Sequence, residues 1–409
     1  MNNMDIKIAE NQESLFLIAR NGLYGLINIK GEVVIPCEWD WLSGEFAEGV
    51  SVAEKNGKYG FIDYNGNVIF NFNWDDAELF SDGLAKVKMN GKWGFIDRNT
   101  GRYAIACDWN YATSFVNGIA FVSSGENKSG YIDKAGNSIG GLKWQMDYEE
   151  IKVLVSCNLA RVKDENFKYG CLNKFGELVI PCKWNDLDSF VDGIARVKGD
   201  NNKYGYIDTK GNVVIPCKFD FANTFFEGKA LTSLHYKQSL EERMFYGYSH
   251  DTIWSRFINK KGDYISDSYQ SAYDFSESLA AVKKNGKWGF INSSGILICA
   301  CKWEEVRSFR EGMAGVKAKG KWGFINKNGD LAIPCVWESV FDFKEGLAAV
   351  EGYGFYETFI NKKGEIIGEN WQCVGEFENG LAGVHNWDGK EYYINYKGDV
   401  VCEAGIRVI

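Results

Sequence analysis

F-R-E-G-M-A-G-V-K-A-K-G-K-W-G-F-I-N-K-N-G-D-L-A-I-P-C-V-W runs from Phe309 to Trp337, and variants of this line fill most of the 409-residue chain. Each variant carries a Phe-x-x-Gly turn, an Ala-x-Val strand, a Lys-(Trp/Tyr)-Gly-(Phe/Tyr)-Ile strand, a second Gly turn and an Ile-Pro-Cys-x-Trp ending. The glycine after the Trp or Tyr recurs at Gly25, Gly60, Gly94, Gly130, Gly170, Gly205, Gly289 and Gly323. Arg256, Thr358 and Tyr392 hold its place in three further units. The period of about 34–36 residues is that of a repeat array, whose units are too small to bury their own apolar faces and must stack.

Each unit reads as a three-stranded antiparallel meander. Asn56-Gly57, Asn90-Gly91 and Asn285-Gly286 mark tight hairpins, because both residues tolerate positive φ. In the second turn, as at Asn326-Lys327-Asn328-Gly329, an Asx side chain can bond the turn backbone and the glycine can take the left-handed position. Period two puts Trp93, Phe95 and Asp97 on one face. Gly94 and Ile96 share the other with Ala85 and Val87, a small-residue face that lets another layer come close. A second Trp, eight residues after the turn glycine at Trp39, Trp74, Trp109, Trp144, Trp184, Trp303 and Trp337, is expected to staple one unit to the next. The expected fold is all-β: an open, solenoid-like array of about eleven three-stranded antiparallel β-meander units, one domain over 1–409. Propellers usually have four to eight blades of four strands, so these units look too many and too short for one.

The Lys-Trp-Gly-Phe-Ile segments at Lys92, Lys287 and Lys321, with the Tyr-Gly variants at Tyr59, Tyr169 and Tyr204, resemble the WG-containing repeat, also called the KWG repeat. The resemblance covers nearly the whole chain. It implies a β-rich, mostly bacterial family regarded as interaction modules, and it brings no catalytic residues with it.

Net charge is −9, and no basic block is present to neutralise phosphates, which argues against nucleic-acid binding. Turn acids (Glu48, Asp82, Asp192, Glu227, Glu311, Glu345) and lysines before the Trp or Tyr (Lys58, Lys92, Lys168, Lys203, Lys287, Lys321) form two rows. These read either as solvated charge or as a ridge that meets a basic partner. The start, Met1 to Lys7, does not look like a signal peptide, and no apolar run approaches the ~18 residues of a membrane helix. A cytoplasmic location is expected, with export by a route lacking an N-terminal signal left open. Of eleven cysteines, six take one repeat position: Cys37, Cys107, Cys182, Cys217, Cys301 and Cys335. Equivalent positions in stacked units lie too far apart for disulfides, so buried free thiols are expected. No ligand set for zinc and no phosphate-binding or nucleophile-elbow motif is found. No cofactor or metal is expected.

In a repeat array the singular residues carry the information. The largest break is an insertion loop at 234–256, which holds two of the three histidines and an aromatic cluster. Ser239-Leu240-Glu241-Glu242 within it could start a helical turn. Insertions in arrays map to loops, often on the binding face. Tyr246, Tyr248, His250, Trp254 and Arg256 are the candidate binding residues. Smaller breaks lie at 145–150 and at Gly352-Tyr353-Gly354-Phe355-Tyr356, and His385 reads as structural. The function expected is a non-catalytic protein-interaction scaffold. The alternatives are a glycan- or cell-wall-binding repeat protein and an enzyme of unknown class.

Overall fold

A computed structural model describes residues 14–125, 128–145, 157–236 and 252–405. These residues form eleven antiparallel sheets in chain order, seven of four strands and four of three. No α-helix occurs among them. The meander is as the sequence reads, and the extra strand is usually a residue pair just after the Trp. Tyr111–Ala112, for example, pairs with Ile119–Ser123.

The ninth sheet shows how the repeat builds itself. Strands Met313–Ala318 and Lys321–Asn326 pair residue for residue around Lys319-Gly320, both at positive φ. Leu331–Trp337 completes the sheet with a bulge. Trp322 faces Trp337 and Phe324 faces Ile333, so the outer strand carries two extra residues in the Pro334-Cys335 stretch. That bulge presses on Gly323, where a Cβ would sit 2.4 Å from the Ile333 carbonyl oxygen. The Cys335 thiol turns inward toward the Val316 carbonyl at 3.7 Å. The Trp-Gly and Pro-Cys motifs are therefore one device within one sheet. The close approach served by the glycine is the sheet's own third strand and not, as expected, a neighbouring layer. The second turn follows the sequence: the Asn326 side chain accepts from the Asn328 and Asp330 amides, and Gly329 has φ of 84°.

By contacts the chain divides into two compact parts. Phe80–Phe343 with Lys362–Gly364 hold sheets three to nine, and Met1–Leu79, Lys344–Asn361 and Glu365–Ile409 hold sheets one, two, ten and eleven. In the larger part every core cluster lies between consecutive sheets. Phe290, Phe309, Val316 and Ile325, for example, meet between the eighth and ninth. Where the middle strand carries a Phe, it meets the Phe of the next turn edge-on: Phe95 with Phe115, Phe257 with Phe275, Phe324 with Phe343, these three at 4.7–4.9 Å between centroids. Such pairs add to the area they bury. The second Trp of each unit is buried or half-buried, as expected, with Trp184 and Trp303 in the core.

The turn acids join sheets. Asp82 accepts the Gly118 amide at 2.6 Å, and Glu277 accepts the Gly312 amide and pairs with Lys327, each at 2.9 Å. Glu311 meets Lys362 at 3.1 Å. Lysines of the row meet the acid or asparagine that follows the second Trp or Phe of the same unit, as Lys321 does with Glu338, Lys203 with Asp220 and Lys92 with Asn110. The rows are thus committed within the protein.

The smaller part decides the topology. Phe16, Ile18 and Ile27 of the first sheet are buried against Leu381, Tyr393 and Val401 of the last. The Ala19 amide donates to the Ala404 carbonyl at 3.0 Å, and the Tyr393 hydroxyl to the Leu17 carbonyl at 3.1 Å. Gly31 rests on Val401 as Gly66 rests on Ile35 of the preceding sheet. The expected open array is overturned here. The first and last units pack on one another through the contact used at an internal junction, as the end blades of a β-propeller do. The number of units misled because it does not fix the small rotation from one to the next.

All described cysteines are free. The six at the repeat position are half-buried, less deeply than expected, because they lie in the bulge of an outer strand.

Candidate functional site

The seventh sheet departs furthest from the repeat. Its strands Lys229–Tyr236 and Thr252–Asn259 are eight residues each and pair along their whole length. The sequence reads 234–256 as loop, but its ends, 234–236 and 252–256, continue the strands. Tyr246, Tyr248, His250, the helical turn at Ser239 and the break at 146–150 lie outside the described residues. Trp254 and Arg256 are described, and period two puts both on one exposed face of the strand.

Arg256 stands where other sheets need glycine, and the structure gives the reason. No third strand follows it. The residues from Lys260 to Gln270 make only isolated bridges, Ile258 to Tyr264 and Ser255 to Tyr269. With no bulge pressing down, a long side chain fits. Arg256 lies over the Tyr264 ring at 4.9 Å and bonds the Ser268 hydroxyl. Thr358 and Tyr392 have local answers too. The Thr358 hydroxyl donates to the Glu369 carbonyl beside a strand bent at Gly368, and Tyr392 and Tyr393 face Glu403 and Cys402 in regular register, the bulge falling one residue further on, before Ile394.

The same hairpin-tip position carries other singular aromatics. Phe167 is 63% exposed in the fifth sheet, Tyr353 and Phe355 are 89% and 82% exposed in the tenth, and Trp387 is 60% exposed in the eleventh. Regular sheets place Asn-Gly there. Tips of mixed length and aromatic content are therefore the variable edge of this array.

A cleft opens at the other end of strand Lys229–Tyr236. It has a volume of about 960 Å³ and draws its lining from sheets six to nine, all within the larger part. Its lining includes the apolar Val191 and Phe226, the latter 53% exposed, and the polar Ser276, Ser308 and Arg310. The loops are held from below. The buried Tyr206 hydroxyl, its pKa raised by burial, donates to the Asn223 carbonyl at 2.6 Å. The Asn223 amide donates to both Asp274 oxygens at 2.8 Å. Arg196 is locked by Asp188 and by the Ala222 carbonyl, each at 2.7 Å. Burial, and next the charge of Asp188, raise the pKa of Asp186 beside it. The sequence missed this cleft because its residues occupy ordinary repeat positions and differ only in side chain.

Among the described residues no group of three or more His, Cys, Asp or Glu is arranged to hold a metal ion. Burial pushes the Cys171 thiol up to about 12 and Cys182 up to about 11, so neither is an activated nucleophile. His385 lies 3.9 Å from Glu391 in the eleventh sheet.

The fold and its edges define an all-β repeat protein of propeller-like sheets. The WG containing repeat matches residues 24–59, 59–93, 93–127, 169–204, 204–237, 256–288, 288–322 and 322–351. Over more than half its length the chain carries this repeat, and it belongs to the WG-repeat family. No curated protein matches it. Among solved structures it is similar to a eukaryotic initiation factor, at 9% identity over 96% of each chain with a TM-score of 0.43. It is also similar to BamB from Moraxella catarrhalis, at 10% identity over 87% of this chain and 96% of that one with a TM-score of 0.28. Likenesses at this level bear on no functional detail.

Proposed function

We propose that the protein is a non-catalytic interaction scaffold that holds a protein partner at its hairpin tips. The observation that supports this is the division of its aromatics. Those that repeat are buried or half-buried in packing, and of the five aromatics at least 60% exposed among the described residues, four (Phe167, Tyr353, Phe355 and Trp387) are singular and sit at the tips, the fifth being Phe175 in a second turn. Rigid aromatic side chains offer much contact area at low entropic cost. A glycan-binding array would use its repeated aromatics, and packing takes these. An enzyme would need poised acids, and the turn acids of the repeat are engaged with backbone amides and lysines. The free thiols fit a reducing compartment such as the cytoplasm.

The test is affinity capture from the organism that makes the protein. The full chain is compared with a chain lacking 237–251 and with a Trp254→Ala, Arg256→Ala double variant. A protein partner is expected with the full chain and is expected to be lost from both altered chains. Equal recovery by all three, or recovery of polysaccharide alone, would overturn the reading.

A further inference from the structure

The cleft of sheets six to nine is distinct from the hairpin tips, and its chemistry is one-sided. The acids around it are already engaged. Asp274 is held by Asn223, Asp188 by Arg196 and the Thr224 hydroxyl, Glu277 by Lys327, and Glu311 by Lys362. Arg310 is different. Its exposed guanidinium has no hydrogen bond or ion pair among the described residues, although the equivalent Lys344 in the tenth sheet pairs with Glu376. Ser308, two residues away and also lining the cleft, has a hydroxyl without a partner among the described residues. An unpaired guanidinium beside a free hydroxyl is a donor set for a carboxylate, which arginine can grip through two parallel bonds.

Three features extend this from a carboxylate to a peptide. The lining also includes the apolar side chains of Val191 and Phe226. The Thr224 and Ser276 hydroxyls donate to Asp188 and to the Phe309 carbonyl, which leaves their oxygens free to accept, as a chain of backbone N–H groups requires. The volume of about 960 Å³ lies at the upper end of small-ligand pockets, about 300–1,000 Å³, which gives room for a short peptide segment. We propose that this cleft binds an acidic peptide segment, with a carboxylate at Arg310 and Ser308 and apolar side chains against Phe226 and Val191.

Titration of the full chain with octapeptide pools carrying an uncharged dye tests this. One pool places a single glutamate between leucine or phenylalanine residues, and matched pools replace it with glutamine or lysine. The glutamate pool is expected to saturate the wild-type protein and to bind on the order of ten- to a hundredfold more tightly than the glutamine pool. Arg310→Gln is expected to erase that difference, Arg310→Glu to shift preference to the lysine pool, and Phe226→Ser to weaken the glutamate and glutamine pools alike. Both positions are exposed, so circular dichroism should show folded variants. Failure of the glutamate pool to saturate, or unchanged binding by Arg310→Gln, would overturn the site. Displacement of the pool by phenylacetate at equal concentration would overturn the peptide assignment.

Discussion

The ninth and seventh sheets share a framework and differ in their outer strand. Both carry the buried middle-strand Phe, Phe324 or Phe257, set edge-on against the next turn. The ninth adds a bulged strand that leaves no room for a side chain at Gly323. The seventh omits it and tolerates Arg256. Stacking between sheets is thus the invariant element, and the third strand is the part that can be given up. Where it is lost the edge becomes free for longer tips and exposed side chains.

The shared element should give the largest effect and the least contrast. Phe324→Ala and Phe257→Ala should each cost about 3–5 kcal/mol in urea unfolding, with hydrogen exchange loosened in the two adjoining sheets first. A large difference between the two would break the view that both sheets rest on the same contact.

The outer strand should separate them. Gly323→Ala forces a Cβ onto the Ile333 carbonyl and should cost about 1–3 kcal/mol. Arg256→Ala at the equivalent position should stay within about 0.5 kcal/mol. Equal destabilisation would mean that the glycine serves something other than the bulge.

A third comparison concerns pH. At Glu277 burial raises the pKa, but hydrogen bonds from Lys327 and the Gly312 amide outweigh it and hold the carboxyl below its ordinary value of 4.5. A depressed folded value means that its stabilising contribution is present above the unfolded value and lost as pH falls through the folded one. Stability measured from about pH 6 down to about pH 3 should therefore fall less steeply in Glu277→Gln than in the wild type. The smallest effect is expected for Trp254→Ala, which should leave the unfolding midpoint unchanged because the side chain is exposed.

Strands, hairpins and the Asx turns were legible in the sequence because each depends on local chemistry: Asn-Gly at Asn90, an Asx oxygen at Asn326, alternation around Trp93. The partnership of Gly323 with Cys335 was present in the letters but was read as two motifs, since a bulge brings together residues that simple pairing keeps apart. Glu311 reads as solvated charge or as part of a ridge, and Glu277 is not singled out, because their partners, Lys362 and Lys327, lie about fifty residues on, in the next unit's turn. Closure was the least legible. The contact of Ile18 with Leu381 is carried by no motif, because it joins the first and last units of the chain. The cleft escaped because Ser308 and Arg310 fill positions that other units fill with residues of different chemistry.

The junction of the first and last sheets also sets an order in time. Ile18 and Ile27 are fully buried only against residues from Leu381 onward, so on a ribosome working at roughly 5–20 residues per second that surface waits for on the order of tens of seconds. Until then the first sheet presents an uncovered apolar face while its successors fold behind it. The nascent chain is thus exposed to aggregation at this first sheet until the last sheet is synthesised.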